Sequence, residues 1–345
     1  MIKVILFWDL LDKFDKNYII AEIGSVHDGS YGNACKLIEL AKKCGANMVK
    51  FQTHIAEAES TKDAPSPEYF KGESRYDYFT RTGFTKSQWG KLNELCAQLD
   101  IEFLSSPFSI TAAELLNDIG IKKFKVPSGE ITNIPLIEKL ASYKKPVLIS
   151  SGMSNWLELD RTVSLLIDRV DLCIMQCTSK YPCPPESVGL NVLSELKKRY
   201  NKKFTLGFSD HTSSIAAGIA SAVLGARIIE KHLTFSKSMY GSDAKNALEP
   251  SEFSRYCQSI KEVWQMLDNP VDKNNLNKFK DMKLVFEKSI YAGRDLNLGD
   301  IIEFKDLSFK KPGDGISAAE YEKLIGLKLT RSIKYNQKLS WDYFE

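Results

Sequence analysis

From residue 18 to residue 267 the chain alternates between short apolar runs and longer segments in which apolar residues recur at helical spacing. The short runs are rich in β-formers: YIIAEIG (18–24), NMVKFQT (47–53), IEFLSSPF (101–108), KKFKVPS (122–128), PVLISSG (146–152), LCIMQCT (172–178), FTLGFSD (204–210) and RIIEKHLT (227–234). Amphipathic stretches such as YGNACKLIELAKKCGA, KSQWGKLNELCAQLD, LIEKLASYKK and SEFSRYCQSIKEVWQML stand between and after them. Eight strands, each followed by a helix over about 250 residues, predict an α/β protein of the (β/α)8 TIM-barrel type. A doubly wound open sheet fits less well, because no Gly-rich dinucleotide turn follows the first run.

Three segments depart from the alternation. Residues 1–17 precede the first strand as an extension; their apolar stretch is too short to span a membrane and lacks a small-residue cleavage site. Residues 54–85 form a long polar and aromatic insertion after the second strand, at the end of the barrel where active sites lie. Residues 268–282 read as a polar linker, and 283–345 as a compact domain of short strands and turns.

Composition narrows the class. The chain is 43% hydrophobic and 26% charged with a net charge of +3, which gives no basis for nucleic-acid binding. The seven cysteines are odd in number and several sit inside apolar runs. Reduced thiols in a cytoplasm are therefore expected, and the spacing of Cys173, Cys177 and Cys183 matches no zinc pattern.

In a barrel the C-terminal strand ends face the catalytic mouth. The strands end in Glu22, in Lys50 and Gln52, in Ser105 and Ser106, in Lys125, Ser128 and Glu130, and in Ser150 and Ser151. The last three end in Thr178, Ser179 and Tyr181, in Ser209, Asp210 and His211, and in Lys231 and His232. Lysines and hydroxyls beside Gly129 and Gly152 suit a phosphate or a carboxylate. Glu22 interrupts an apolar run, so it needs a polar partner or a ligand. His211 and His232 end neighbouring strands and can converge on a metal. One buried histidine bonded to backbone and one at the surface is the alternative, and the residues alone leave both open.

The motifs IIAEIGSVHDGS, GANMVKFQTH, FLSSPFS, FKVPSGEITNIPLI, VLISSGMS, QCTSKYPCPPE, GFSDHT, GARIIEKHLT and GSDAKNALEP run in order from residue 18 to 250. In this the chain resembles the sialic acid synthase family, which condenses phosphoenolpyruvate with an N-acetylated hexosamine. The tail, with RDLNLGDII, KKPGDGI and LIGLKLTRSI, is similar to the family's small antifreeze-like (SAF, β-clip) domain. The resemblance implies a divalent metal on His211 and His232, usually manganese, with magnesium or cobalt as alternatives. It implies that Lys50, Ser106, Lys125, Ser128, Ser150 and Ser209 hold phosphoenolpyruvate. Glu22, Gln52, Ser179, Tyr181 and Asp243 would contact the sugar, and Glu130 would lie close to the reacting atoms. A domain-swapped homodimer is implied too, with the small domain over the partner's barrel mouth.

The implied reaction is N-acetylneuraminate synthesis from N-acetylmannosamine, phosphoenolpyruvate and water. The alternatives are a diacetamido trideoxy hexose giving legionaminic acid, N-acetylmannosamine 6-phosphate, or a metal-dependent keto-acid aldolase. Lys71, Arg75 and Arg81 could receive a sugar phosphate, but read more simply as solvated charges. The sequence departs from the family pattern at Val26 before His27, at Ser179 for asparagine, and at Lys311 for an arginine that meets the N-acetyl group. Lysine lacks the planar guanidinium fork, so that contact would be weaker or displaced.

Overall fold

The computed structural model describes residues 14–66, 72–200, 203–241 and 243–345. The extension up to residue 13 and Lys71 lie outside the described residues. The chain divides into two compact units, Met1–Asn269 and Pro270–Glu345.

The first unit is a closed barrel of eight parallel strands in sequence order, with β8 paired back to β1. The strands are β1 (Tyr18–Gly24), β2 (Met48–Thr53), β3 (Glu102–Pro107), β4 (Phe124–Val126), β5 (Val147–Ser150), β6 (Leu172–Cys177), β7 (Thr205–Asp210) and β8 (Ile228–His232). Each of the eight expected runs supplies one of them; β4 is the shortest, ending before Pro127, which has no N–H to donate. Local signals start the helices. Ser30 caps Tyr31–Lys43, and Thr85 with Gln88 and Asn155 with Glu158 form capping boxes.

Alternation along the strands separates two cores. Tyr18, Ile20, Met48, Leu104, Leu148, Cys173, Met175 and Ile228 fill the inside of the barrel, while residues such as Ile19, Val49, Phe103, Ile149 and Ile229 face the helices. Burial of each large aliphatic side chain contributes about 1.5–3 kcal/mol. The inner apolar filling belongs to the lower strand residues, and the same inward positions turn polar towards the C-terminal ends.

The insertion is helical where a polar loop was expected. One turn, Ala56–Glu59, precedes the helix Arg75–Thr82, which Ser74 caps. Tyr78 and Phe79 on that helix are buried together with Ala56, so its aromatics make a small core of their own.

The second unit pairs β9 (Ser289–Ala292) with β10 (Leu307–Lys310) antiparallel around Ile290, Leu296, Ile302, Leu324, Leu329, Ile333 and Leu339. The stretch read as a linker carries a short turn at Asn277–Phe279 and the start of the helix Lys280–Phe286. Among the described residues no helix is long and apolar enough to cross a membrane.

Between β7 and β8, on the outside of the sheet, Lys231 Nζ lies 3.1 Å from Asp210 Oδ1 with both side chains fully buried. The Tyr256 hydroxyl and the Thr212 N–H also donate to Asp210, at 3.2 and 2.9 Å. Lys231→Met should leave this carboxylate buried without its counter-charge and cost about 3–5 kcal/mol, read by urea unfolding. Adding Asp210→Asn should recover part of that loss.

Candidate active site

The inward positions at the C-terminal ends of the strands form a charged cup. Register carries Glu22 on β1 beside Lys50 on β2 and beside His232 on β8, and Ser209 on β7 beside Glu230 on β8. Lys50 Nζ lies 2.8 Å from Glu22 Oε1, 3.4 Å from Glu230 Oε1 and 3.5 Å from Ser106 Oγ. Lys125 Nζ donates to Ser150 Oγ at 2.7 Å and lies 3.9 Å from Glu230 Oε2. Ser209 Oγ donates to Glu230 Oε1 at 3.3 Å.

Burial dominates the electrostatics of these groups. It would pull the Lys50 ammonium down, but Glu22 and Glu230 outweigh it and hold the pKa above the ordinary lysine value. For Lys125, burial is helped by the charge of Lys50 and outweighs the more distant Glu230 and the other acidic groups nearby, so its pKa falls. Glu230 is held below the usual carboxylate range, because Lys125 and Lys50 overcome the burial that opposes them.

Ser128 and Ser179 complete one wall. The Gly152 N–H donates to Ser128 Oγ at 3.0 Å. A Cβ on Gly152 would stand 2.4 Å from Ser179 Oγ and 2.7 Å from Ser128 Oγ, so the wall can close only over glycine. Glu130 follows in the turn Ser128–Glu130, accepting from Asn133 Nδ2 at 2.7 Å. Burial raises its pKa, and the Asn133 contact opposes the rise without cancelling it.

The two histidines are at the rim, both buried, with ring centroids 5.8 Å apart. His211 Nδ1 faces the Thr178 carbonyl oxygen at 2.9 Å and so carries the hydrogen. Its Nε2 then presents a lone pair, which the Tyr181 hydroxyl meets at 3.0 Å. His232 Nδ1 is buried without a hydrogen-bond partner. An anchored imidazole with its lone pair turned to the cup, beside an unsatisfied buried nitrogen, fits a divalent metal. Among the described residues no group of three or more His, Cys, Asp or Glu gathers to hold a metal, so two protein ligands are what this site offers. Cys173, Cys177 and Cys183 form no such group either.

The outer side of the cup is lined by Gln52, Asp243 and the insertion. Gln52 Nε2 donates to Glu22 Oε1 at 2.8 Å. Asp243 Oδ2 accepts from the Ser25 N–H at 3.3 Å, and a Cβ on Gly24 would lie 2.3 Å from that oxygen, where φ is also +54°. Arg81 is an exposed charge, as expected, and is also paired: its guanidinium contacts Asp28 at 2.8 Å and Glu73 at 2.7 Å. Arg75 lies 3.8 Å from the buried Glu59. Lys311 belongs to the second unit, where its ammonium lies over the Phe286 ring.

The structure thus brings together Glu22, Lys50, Gln52, Ser106, Lys125, Ser128, Ser150, Ser179, Tyr181, Ser209, His211, His232 and Asp243 at the barrel mouth, with Glu130 on the adjoining turn. Glu230, which is not among the expected site residues, sits between both lysines. Its signal was the spacing of two from His232, which puts both side chains on the inner face. His27 is structural: its ring packs against Phe84 and Phe51, Nδ1 accepts from the Gly29 N–H at 3.1 Å, and burial lowers its pKa to about 4.

Comparison with known proteins identifies the family of both units. Residues 37–272 match the NeuB family and residues 287–345 match the SAF domain. An N,N'-diacetyllegionaminic acid synthase of Campylobacter jejuni is 35% identical over 331 residues, covering 93% of this chain and 98% of that protein. The N-acetylneuraminate-9-phosphate synthase of Homo sapiens is 33% identical over 258 residues, covering 73% of this chain and 72% of its own. A crystal structure of an N-acetylneuraminic acid synthetase from Leptospira borgpetersenii, in complex with citrate, superposes with a TM-score of 0.68 at 26% identity. It covers 78% of this chain and 90% of that one.

Glu230 competes with any incoming anion for the two ammonium groups. Lys125→Met should weaken binding of inorganic phosphate by about tenfold, ~1.4 kcal/mol, and Glu230→Gln should strengthen it. Titration calorimetry at fixed ionic strength reads both.

Proposed function

The chain belongs to the NeuB family, and we propose that its barrel condenses phosphoenolpyruvate with a neutral N-acetylated hexosamine, giving a nine-carbon 2-keto sugar acid and phosphate. The observation that carries this reading is the pair Lys50 and Lys125, buried among serine hydroxyls directly below two histidines. Two fixed ammonium groups and a ring of hydroxyls suit a small molecule bearing both phosphate and carboxylate. They neutralise its charge through the reaction without reorganising.

The bonds balance as follows. C3 of phosphoenolpyruvate bonds to the aldehyde carbon, the oxygen of water adds at C2, and the C2–O bond to phosphate breaks. A divalent metal held by His211 and His232, manganese on the family resemblance, would supply polarisation of the aldehyde oxygen when bound. Tyr181 and Thr178 orient His211, and Gln52, Asp243, Ser179 and Glu22 receive the sugar. We assign proton removal from the attacking water to Glu130, whose raised pKa makes it a stronger base than an exposed carboxylate.

The acceptor side supports an uncharged sugar. Arg81 is paired with Asp28 and Glu73, and Arg75 faces Glu59, so a sugar phosphate would have to displace these carboxylates, which favours an uncharged acceptor. Between the neutral acceptors, the relatives named legionaminic acid synthases, 35% and 33% identical, support the diacetamido trideoxy hexose. N-acetylmannosamine is the second reading, supported by the solved N-acetylneuraminic acid synthetase. All seven cysteines carry free thiols, which supports a reducing, cytoplasmic setting. We propose likewise that the active species is a homodimer and that Lys311 meets the acceptor. Light scattering and the acceptor KM of Lys311→Ala test these two.

Phosphate release should be measured with phosphoenolpyruvate, manganese and each acceptor in turn. Turnover is expected with a neutral acceptor and not with the 6-phosphate, and turnover with none would overturn the reading. Chelation should stop the reaction and manganese restore it, whereas His211→Ala or His232→Ala should stay inactive while folded. If Glu130 is the base, kcat falls as pH drops through its raised pKa. Glu130→Gln should then abolish that acid limb together with about 10²-fold or more of the rate.

A further inference from the structure

His54, at the start of the insertion, has no role in the reaction as derived so far, yet it is among the most elaborately held side chains at the mouth. Its ring is stacked between Phe79, centroids 3.5 Å apart, and Phe108 at 4.0 Å. Nδ1 lies 3.0 and 2.9 Å from the two carboxylate oxygens of Glu59, and Nε2 lies 3.2 Å from Gln52 Oε1. The side chains of His54 and Glu59 are 5% and 3% exposed, so water does not share these contacts.

Counting donors and acceptors fixes the protons. Glu22 Oε1 faces the Lys50 ammonium at 2.8 Å, so it is a carboxylate oxygen and only accepts. Gln52 therefore turns its NH2 towards Glu22 and its carbonyl oxygen towards His54. An amide oxygen accepts only, so His54 Nε2 must carry a hydrogen. On the far side Nδ1 meets a carboxylate, and that contact needs a second proton between them. Burial lowers the pKa of the imidazolium, and the contact with Glu59 opposes that fall without cancelling it. With that proton shared in the contact, the pair is neutral overall and keeps Nε2–H aimed at Gln52.

We propose that Glu59 and His54 form a positioning dyad that locks the amide of Gln52 in one orientation and thereby sets the hydrogen-bond polarity of the acceptor site. With Gln52 and Lys50 both committed to Glu22 Oε1, the oxygen left over is Glu22 Oε2, which is buried and has no protein partner. It is the acceptor that takes a hydroxyl hydrogen of an open-chain polyhydroxy sugar. A flipped Gln52 would set its oxygen against Glu22 and disturb that carboxylate. The insertion therefore acts on the sugar through Gln52 without touching the phosphoenolpyruvate side. This rests on the condensation reading, because it takes Gln52 and Glu22 as sugar contacts.

Loss of the shared proton, as pH rises through the lowered pKa of His54, would set lone pair against lone pair, either at Glu59 or at Gln52, and release the amide. The charged groups facing the ring are Glu59 beside it, Arg75 from the helix Arg75–Thr82, Asp243 from the loop after β8 and His27 from the loop after β1. Arg75 and His27 favour loss of the proton, and Glu59 and Asp243 oppose it.

Steady-state kinetics on the full chain test the dyad, with the acceptor that the parent uses and with phosphoenolpyruvate varied separately. His54→Phe keeps the aromatic stack and removes Nε2–H. It should raise the acceptor KM by about tenfold, the value of one hydrogen bond to a charged network, and leave the phosphoenolpyruvate KM in place. Glu59→Ala should do the same, and Glu59→Gln should reverse most of the effect, because a side-chain amide can donate to Nδ1 and leave the hydrogen on Nε2. The rise of acceptor KM as pH increases through the lowered pKa of His54 should appear in the parent and vanish in Glu59→Gln. If both Michaelis constants rise together, or if the acceptor KM is unmoved in both His54→Phe and Glu59→Ala, the dyad is merely structural and the proposal falls. A parent that turns over no acceptor overturns the condensation reading and this inference with it. An active parent with unmoved variants overturns the inference alone.

Discussion

Two ammonium groups and two carboxylates inside a closed parallel barrel can stay ionised only if each faces an opposite charge, and this condition organises the mouth of the protein. Lys50 spans Glu22 and Glu230, and Lys125 reaches Glu230 from the other side. A buried ion pair of this kind gives little net stability, since desolvation consumes most of its Coulombic gain. What it supplies is geometry. Strands from both halves of the barrel must close in register for the four groups to meet, so the charges are in place only when the barrel is closed. The two lysines are matched by two carboxylates before any ligand arrives, and an anion can enter by taking over ammonium groups that Glu230 now occupies.

The same alternation of faces explains how one sequence segment does two jobs at β7 and β8. Ser209 and Glu230 point into the barrel and contact each other. Asp210 and Lys231, one residue later on each strand, meet on the outside under Tyr256. Their pairing fixes the two strand ends against the helix Pro250–Asp268 and closes the loop at Thr212 and Ser214. His211 and His232 are thus each covalently tied to a member of a buried ion pair. Two imidazoles held this way need no mutual contact to keep their separation.

Much of this was legible in the sequence because the barrel is built from local signals. Each apolar run became a strand, and polar residues at run ends such as Lys50, Ser150 and His232 became the cup. What could not be read was parity and distance. In KKFKVPS, two lysines stand two apart on one face; Lys125 enters the cup, while Lys123 pairs with Glu102 at 2.7 Å at the opposite end of the strand. Only the depth of β4 within the closed barrel tells them apart. Glu230 was visible as a residue but not as the partner of both lysines, since that depends on β2 and β4 reaching across to β8. The insertion misled most, because its polar composition concealed a helix whose buried face is Tyr78, Phe79 and Thr82.

That helix divides the labour of the site. Lysines and serines come from strand bodies, where closure of the barrel leaves no freedom, and in the proposed reaction they would hold the phosphate and carboxylate. The proposed acceptor would instead meet groups governed by the insertion: Glu59 and His54 hold Gln52, while Arg81 binds Asp28 and Glu73 and so draws the β1 loop and the insertion together. Tyr240, from the loop after β8, donates to Glu73 and joins the same network. A segment that can change in length and sequence without touching the barrel register is a suitable place to specify the sugar. Selectivity can then change through contacts around Gln52 while the charged cup, whose four ionised groups tolerate no unpaired member, stays fixed.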